Sequence, residues 1–256
     1  MRKAPVATRS VKVSFLGTGD AFASDGRFQS AYLLESHNCR VLMEAGPTVL
    51  CSLKRMKVAP NEIDLILISH LHGDHYGGLP FLLLEYAFEG APRKPITLAG
   101  PAHLEERTWT LFNTMFPRTE SHQRLREKLR FVVLEPGVRQ RVGRLQVETI
   151  RTPHMQYEAS LALRFTLDGK KIAFSGDSGW SDELIDFTTG VDLFLCECTY
   201  FESAHLNFHM NYPELEKRRP QFDVGRMILT HMGREVIEKR RKLRIETARD
   251  GLTLKL

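Results

Sequence analysis

Residues 64–78 read DLILISHLHGDHYGG, and the reading of this stretch decides the fold. It opens on an apolar run, residues 65–68, bounded by polar residues and short enough to be a buried strand. His70, His72, Asp74 and His75 then fall within six residues. Imidazoles fill a core poorly, and a carboxylate beside them must be paired or coordinated, so a plain polar loop is the weaker reading. In extended chain, residues i and i+2 point the same way, so His70 and His72 reach one ion. Gly73 lets the chain turn, and Asp74 and His75 then face another direction. Two adjacent cation sites suit this spacing better than one.

Three later segments repeat the design. His154 closes RTPH, Asp177 lies in FSGDSG and His231 closes MILTH, each just past a strand-like run. Taken singly, each is an ordinary loop residue. Together they place a ligand at the end of a buried strand four times over. Strands from two sheets ending at one edge would bring those tips together.

In order, HLHGDH, TPH, SGD and LTH resemble the motifs of the metallo-β-lactamase superfamily, and the likeness covers nearly the whole chain. The resemblance implies an α/β, four-layer αβ/βα sandwich: two packed mixed β-sheets with helices outside, as a single hydrolase domain over residues 1–256. It also implies that His70, His72 and His154 hold one divalent cation and that Asp74, His75 and His231 hold a second, with Asp177 bridging. Zn2+ is the expected ion, with Mn2+ or Fe2+ as alternatives.

Within the superfamily, FLGTG at residues 15–19, CECTY around Glu197, and His209 in NFHM resemble the ribonuclease Z-type phosphodiesterase branch. That branch carries a Glu in a HEAT-like motif and a His in an HST-like motif. Here CECT and HMN stand in their places, and His205 is a rival for the histidine. Glu197 sits in an apolar run, where an unpaired carboxylate is costly. A hydrogen bond to His209 would relieve that cost and hold the imidazole for acid or electrostatic work. From His154 to Asp177 the interval is 177 − 154 = 23 residues, which leaves no room for the protruding arm with which ribonuclease Z grasps tRNA. The chain is thus more similar to small arm-less phosphodiesterases, such as those acting on phosphoribosyl cyclic phosphate. Some of these hold a structural zinc through cysteines; the dispersed Cys39 and Cys51 give that no support.

The resemblance implies two-metal hydrolysis of a small-molecule or nucleotide phosphodiester, or of an RNA-type substrate. Asp74 would orient the attacking water, and His209, held by Glu197, would protonate the leaving oxygen. The rivals are an arm-less tRNA 3′ endonuclease, a thioester or lactone hydrolase, and an RNA-binding protein with a relict site. An oxygen-reducing di-iron protein would carry Glu where His72 stands. A homodimer is the family's implied assembly.

Composition is consistent with this reading. The 256 residues are 42% hydrophobic and carry a net charge of +5, a mild lean toward anionic partners. The charged segment 118–130 reads as a helix, either a solvated face or a phosphate-facing patch. The basic segments lack the interleaved aromatics of a single-strand binder. The beginning of the sequence has no apolar core of a signal peptide, and no stretch is long enough to span a bilayer, so a cytoplasmic protein with no membrane contact is expected. Cys196 and Cys198 read as buried reduced thiols. Strands are expected at residues 10–16, 29–35, 39–45, 96–99, 131–134, 145–151, 160–167, 171–175, 191–198, 226–230 and 252–256. Helices are expected at 47–57, 79–88, 101–115, 181–187 (capped by Ser181) and 234–241.

Overall fold

The strand-forming runs of the sequence alternate between two faces, and the fold gives each face a partner. In the computed structural model, which describes residues 10–117, 122–202 and 207–256, they form two seven-stranded mixed sheets. The first holds β1 (Lys12–Gly17), β2 (Ala31–Glu35), β3 (Arg40–Met43), β4 (Leu65–Leu67), β5 (Ile96–Gly100) and β6 (Leu129–Val133). The second holds β7 (Arg139–Val142), β8 (Leu145–Arg151), β9 (Leu161–Leu167), β10 (Lys170–Phe174), β11 (Leu193–Glu197), β12 (Met227–Thr230) and β13 (Glu246–Thr247). The chain then returns to the first sheet as β14 (Thr253–Lys255). The strand orders are β14-β1-β2-β3-β4-β5-β6 and β13-β12-β11-β10-β9-β8-β7.

Eight α-helices accompany them among the described residues: α1 (Val49–Arg55), α2 (Gly73–Tyr76), α3 (Leu79–Phe88), α4 (Leu104–Met115), α5 (His122–Lys128), α6 (Glu183–Thr188), α7 (Tyr212–Arg218) and α8 (Arg234–Lys239). Period-two alternation explains the layering. Val13, Phe15, Tyr32 and Leu34 point between the sheets and meet Leu163, Phe165, Phe174 and Leu195. Leu33, Leu42 and Ile66 face the other way, against Leu53 of α1 and Leu79, Leu82 and Leu83 of α3. On the far side, Phe194, Cys196 and Leu229 pack with Leu184, Tyr212, Leu215 and Val236. The result is the four-layer sandwich expected from the sequence, and among the described residues no helix is long and apolar enough to cross a membrane.

Pairing directions set where the strands end. β3, β4, β5 and β6 run parallel to one another, as do β10, β11 and β12. The carboxyl ends of β4 and of β10 to β12 therefore gather at one edge of the sandwich, where ligands bind in open parallel sheets. β9 and β10 are joined tightly through Asp168 and Gly169, whose φ values of 45° and 85° suit a two-residue hairpin turn. This hairpin fills the interval between His154 and Asp177.

Several elements differ from the sequence reading. Ser181 does not cap α6: Asp182 holds the N-cap position and no side chain caps the helix. Of the helix read over 118–130, the described residues form α5 over His122–Lys128; Leu129 and Arg130 already belong to β6, and residues 118–121 lie outside the described residues. β7, β13, α2 and α7 have no counterpart in the expected elements. β7, sequence RQRV, buries only Val142, so its alternation carries little hydrophobic signal.

Candidate metal centre

Each residue of the HLHGDH stretch is placed by a local backbone choice. Ile68 still donates its N–H to Ala99 O beyond β4, so the chain leaves the sheet extended. His72 stays extended as the residue before α2, and that one-turn helix swings Asp74 and His75 onto a different side. His154 follows β8, Asp177 follows β10 and His231 follows β12. His231 adopts a left-handed φ of 48°, and Glu44, just after β3, one of 60°. Side chains held in that region cost about 1–3 kcal/mol and cluster at functional sites.

The candidate ligand atoms converge in two adjoining groups. His70, His72 and His154 present nitrogens within 4.8 Å of one another, and so do the ligand atoms of Asp74, His75, Asp177 and His231. His154 Nε2 lies 3.0 Å from His72 Nδ1. Asp177 Oδ2 lies between the groups, 3.7 Å from His70 Nε2, 3.8 Å from His154 Nε2, 3.2 Å from His75 Nε2 and 3.3 Å from His231 Nε2. Asp74 Oδ2 is 3.2 Å from both His75 Nε2 and His231 Nε2.

An outer ring of groups turns the imidazoles inward. His70 Nδ1 meets Ser69 Oγ at 3.0 Å, and His75 Nδ1 meets Glu44 Oε2 at 3.1 Å. His154 Nδ1 donates to the Phe208 carbonyl at 2.8 Å, and His231 Nδ1 meets Thr199 Oγ1 at 2.9 Å. In these four the nitrogen facing the cluster is Nε2, whereas His72 turns Nδ1 toward His154. Such outer partners fix the tautomer and ring orientation of metal-binding histidines. The Asp177 carbonyl is held from behind by the Thr152 and Ser160 hydroxyls at 2.8 and 3.1 Å.

The residues fit a divalent cation on two counts. His70 Nε2, His75 Nε2 and Asp177 Oδ1 are buried without a hydrogen-bond partner, although buried polar atoms nearly always have one. The donor set of imidazole nitrogens and carboxylate oxygens is also that of hydrolytic zinc sites. Electrostatics agree. Burial, helped by the neighbouring His75, holds the His70 imidazole well below its usual range and so keeps it neutral. Burial would raise Asp177, but His231 and His75 outweigh it and hold the carboxyl well below the usual range. Asp74 is depressed in the same way, chiefly by His75 and His231. Conversely, Asp177 and Asp74 overcome the burial of His75 and hold its imidazole protonated well above the usual range.

Glu197 and His209 adjoin this cluster. Glu197 is fully buried at the end of β11, and its Oε1 accepts from His209 Nδ1 at 2.8 Å, the bond anticipated from the sequence. Glu197 also accepts from the N–H of Ser178 at 2.8 Å and from the Thr199 hydroxyl at 2.9 Å. Burial would lower the His209 imidazole, but Glu197 prevails and raises it to about 9. His209 stacks on His231 with ring centroids 5.5 Å apart. The rival His205 lies outside the described residues. All nine residues singled out for the site thus meet at one edge.

Sequence reasoning missed Glu44, Thr199 and Ser69. Glu44 carried the signal that exposed Glu197, a carboxylate ending an apolar run, here LMEAG. Burial raises its carboxyl, against the opposing bond from His75. Ser69 bonds the adjacent His70, and Thr199 bonds both Glu197, two residues before it, and the distant His231; small hydroxyl residues of this kind carry no pattern in the sequence. Cys196 and Cys198 are buried reduced thiols, and burial pushes both well up.

Comparison with known proteins adds four likenesses. Residues 11–249 match the family model described as anti-Pycsar protein Apyc1. Over 179 residues the chain is 33% identical to an anti-Pycsar protein Apyc1 of Paenibacillus sp., covering 69% of this chain and 70% of that one. A ribonuclease Z of Clostridium novyi is 26% identical over 87% of this chain and 89% of its own. The crystal structure of the metallo-β-lactamase fold protein YhfI from Bacillus subtilis superposes with a TM-score of 0.79 at 21% identity, covering 97% of this chain and all of that one.

Proposed function

The chain belongs to the family described as anti-Pycsar protein Apyc1, built on the metallo-β-lactamase fold, and from that premise we propose that it is a metal-dependent phosphodiesterase using two cations. Its substrate would be a small or cyclic nucleotide phosphodiester. One observation carries the reading: a single carboxylate oxygen, Asp177 Oδ2, lies within 3.8 Å of imidazole nitrogens from both ligand groups. One carboxylate shared between two sets of imidazoles suits a pair of cations better than a lone one. His70, His72 and His154 would hold the first, and Asp74, His75 and His231 the second, with Asp177 common to both. Zn2+ matches these donors, with Mn2+ or Fe2+ as alternatives.

When bound, two divalent cations supply Lewis acidity at the phosphoryl oxygens and bring the pKa of water toward neutrality. The chain's own groups do the rest. Asp74 would orient the attacking water while completing the second ligand set. His209 gives Nδ1–H to Glu197, which leaves Nε2 to carry the proton for the departing oxygen. The raised position of this imidazole keeps that proton in place at neutral pH. Support for a small substrate comes from the short interval between His154 and Asp177, filled by the β9–β10 hairpin.

A substrate panel tests the proposal. The protein, stripped with chelator and reloaded with Zn2+ or Mn2+, is offered 3′,5′- and 2′,3′-cyclic nucleotides, bis-p-nitrophenyl phosphate, a cyclic ribose phosphate, precursor tRNA and a thioester. Metal-dependent cleavage of a cyclic or simple diester is expected. Cleavage of precursor tRNA alone would favour the endonuclease reading, and turnover of the thioester alone would overturn phosphodiester chemistry.

A further inference from the structure

Thr199 stands where the acid pair meets the ligand cluster. It follows Glu197 by two residues as the chain leaves β11, and its Oγ1 has four polar neighbours. Glu197 Oε2 and His231 Nδ1 are each 2.9 Å away, the His231 carbonyl is at 3.2 Å and His209 Nδ1 at 3.3 Å. We infer that the Thr199 hydroxyl is a positioning group that couples the Glu197–His209 pair to His231 and dictates which His231 nitrogen is offered to a cation. The inference rests on the two-cation reading above.

A hydroxyl has one proton to give and two lone pairs with which to accept. The carboxylate is the stronger and nearer acceptor, so the proton goes to Glu197 rather than to the His231 carbonyl. Toward the His231 ring the oxygen can then only accept, which requires the hydrogen on Nδ1. The bare nitrogen is therefore Nε2, the one lying 3.2 Å from Asp74 Oδ2 and 3.3 Å from Asp177 Oδ2. His209 does not compete, because its Nδ1–H is directed to Glu197 Oε1 at 2.8 Å.

The geometry leaves Thr199 little freedom. Its own N–H also meets Glu197 Oε2, at 3.2 Å, and its carbonyl accepts from Gly233 N–H at 3.2 Å. A Cβ at Gly233 would collide with that carbonyl, so the strand end and the loop after His231 must sit in direct contact. His231, in its left-handed conformation, is thus gripped at its ring by a residue that is itself fixed on both sides.

Val keeps the shape of Thr without the hydroxyl, and Ser keeps the hydroxyl without the methyl. In Thr199→Val, affinity for the second Zn2+ should fall by about 10–100-fold while the first binds as in the parent. Thr199→Ser should return that affinity to within about threefold of the parent, on the scale set by the lost outer-partner effect. Competitive Zn2+ titration reads both, and nitrogen NMR of the zinc-loaded parent should show His231 protonated at Nδ1. Three results overturn the inference: two Zn2+ bound by the Val variant with parental affinity, a Ser variant as weak as Val, or a parental His231 bare at Nδ1. None of these measurements needs a substrate, so failure of the phosphodiester reading leaves them intact. A parent that binds no Zn2+ overturns the cation reading and this inference together.

Discussion

At the scale of single residues, the contrast between His209 and four of the cluster imidazoles, His70, His75, His154 and His231, decides what each can do. The four present Nε2 to the cluster and use Nδ1 against Ser69, Glu44, Phe208 or Thr199. His209 instead spends Nδ1 on a buried carboxylate and is raised to about 9 in the metal-free chain. Replacing it with Ala should therefore leave Zn2+ stoichiometry unchanged and lower turnover of the best substrate by about 100-fold or more, the range of a lost general acid. A variant that turns over at the parental rate would remove His209 from the reaction. Glu197→Gln should move the His209 titration in metal-free protein from about 9 toward its ordinary value, because the charge opposing burial is gone. The linkage sign follows. A raised folded-state value gives stabilisation that is complete below the unfolded value of about 6.5 and is lost as pH climbs through about 9. The metal-free parent should thus lose its melting-temperature advantage over Glu197→Gln between those limits. An advantage that grows with pH there would contradict the assignment.

At the scale of elements, close backbone approaches hold the loops that carry these residues. Gly179 follows Asp177 by two positions, and a Cβ there would run into the Asn207 carbonyl, two residues before His209. Its N–H donates to the Pro153 carbonyl, next to His154, at 2.8 Å. Gly179→Ala should therefore displace the 207–209 segment rather than the sheets. Expected are a stability loss of about 1–3 kcal/mol and a drop in turnover larger than that loss explains, with Zn2+ still bound. Parental turnover would show that the loop gives way without cost. The same elements explain what the sequence disclosed. The candidate ligands at the ends of apolar strands stood out because their residue types are wrong for a core, and that signal needs no tertiary knowledge. β7 stayed hidden because an edge strand reading RQRV has one inward residue. α7 stayed hidden although its cap is a local one: Asn211 accepts from Glu214 N–H, and Pro213 opens the helix. That cue begins two residues past His209. Thr199 stayed hidden for a different reason, since its partner His231 follows another strand, and Ser69 because the ring orientation that brings His70 Nδ1 to its hydroxyl is set by the fold.

At the scale of the whole molecule, the candidate ligand cluster joins the two sheets. His70, His72, Asp74 and His75 follow β4 of the first sheet, whereas His154, Asp177 and His231 follow β8, β10 and β12 of the second. Beneath them the sheets are also joined through Tyr32 and Thr230, whose hydroxyls lie 2.8 Å apart, and through the apolar layer around Phe15, Phe174 and Leu195. Cations bound at the edge would therefore act as a clamp across that layer, stabilising the folded chain by mass action: about 2.7 kcal/mol for each site at a free concentration 100 times its dissociation constant. In a chain of this size each kcal/mol is worth about 2–4 °C, so chelation should lower the melting temperature by about 5–20 °C. The effect should also depend on pH. His75 is held protonated in the metal-free chain and must release that proton to become a ligand. Zn2+ affinity should accordingly rise with pH, with proton uptake by the buffer visible in calorimetry run in buffers of different ionisation enthalpy. Replacing Asp74 and Asp177 together by Asn removes the charges that keep His75 protonated. In that variant both the chelator-induced melting shift and the proton release should shrink. If chelation left the parental melting temperature unchanged at every pH, the clamp across the two sheets would be excluded, even were the protein catalytically active.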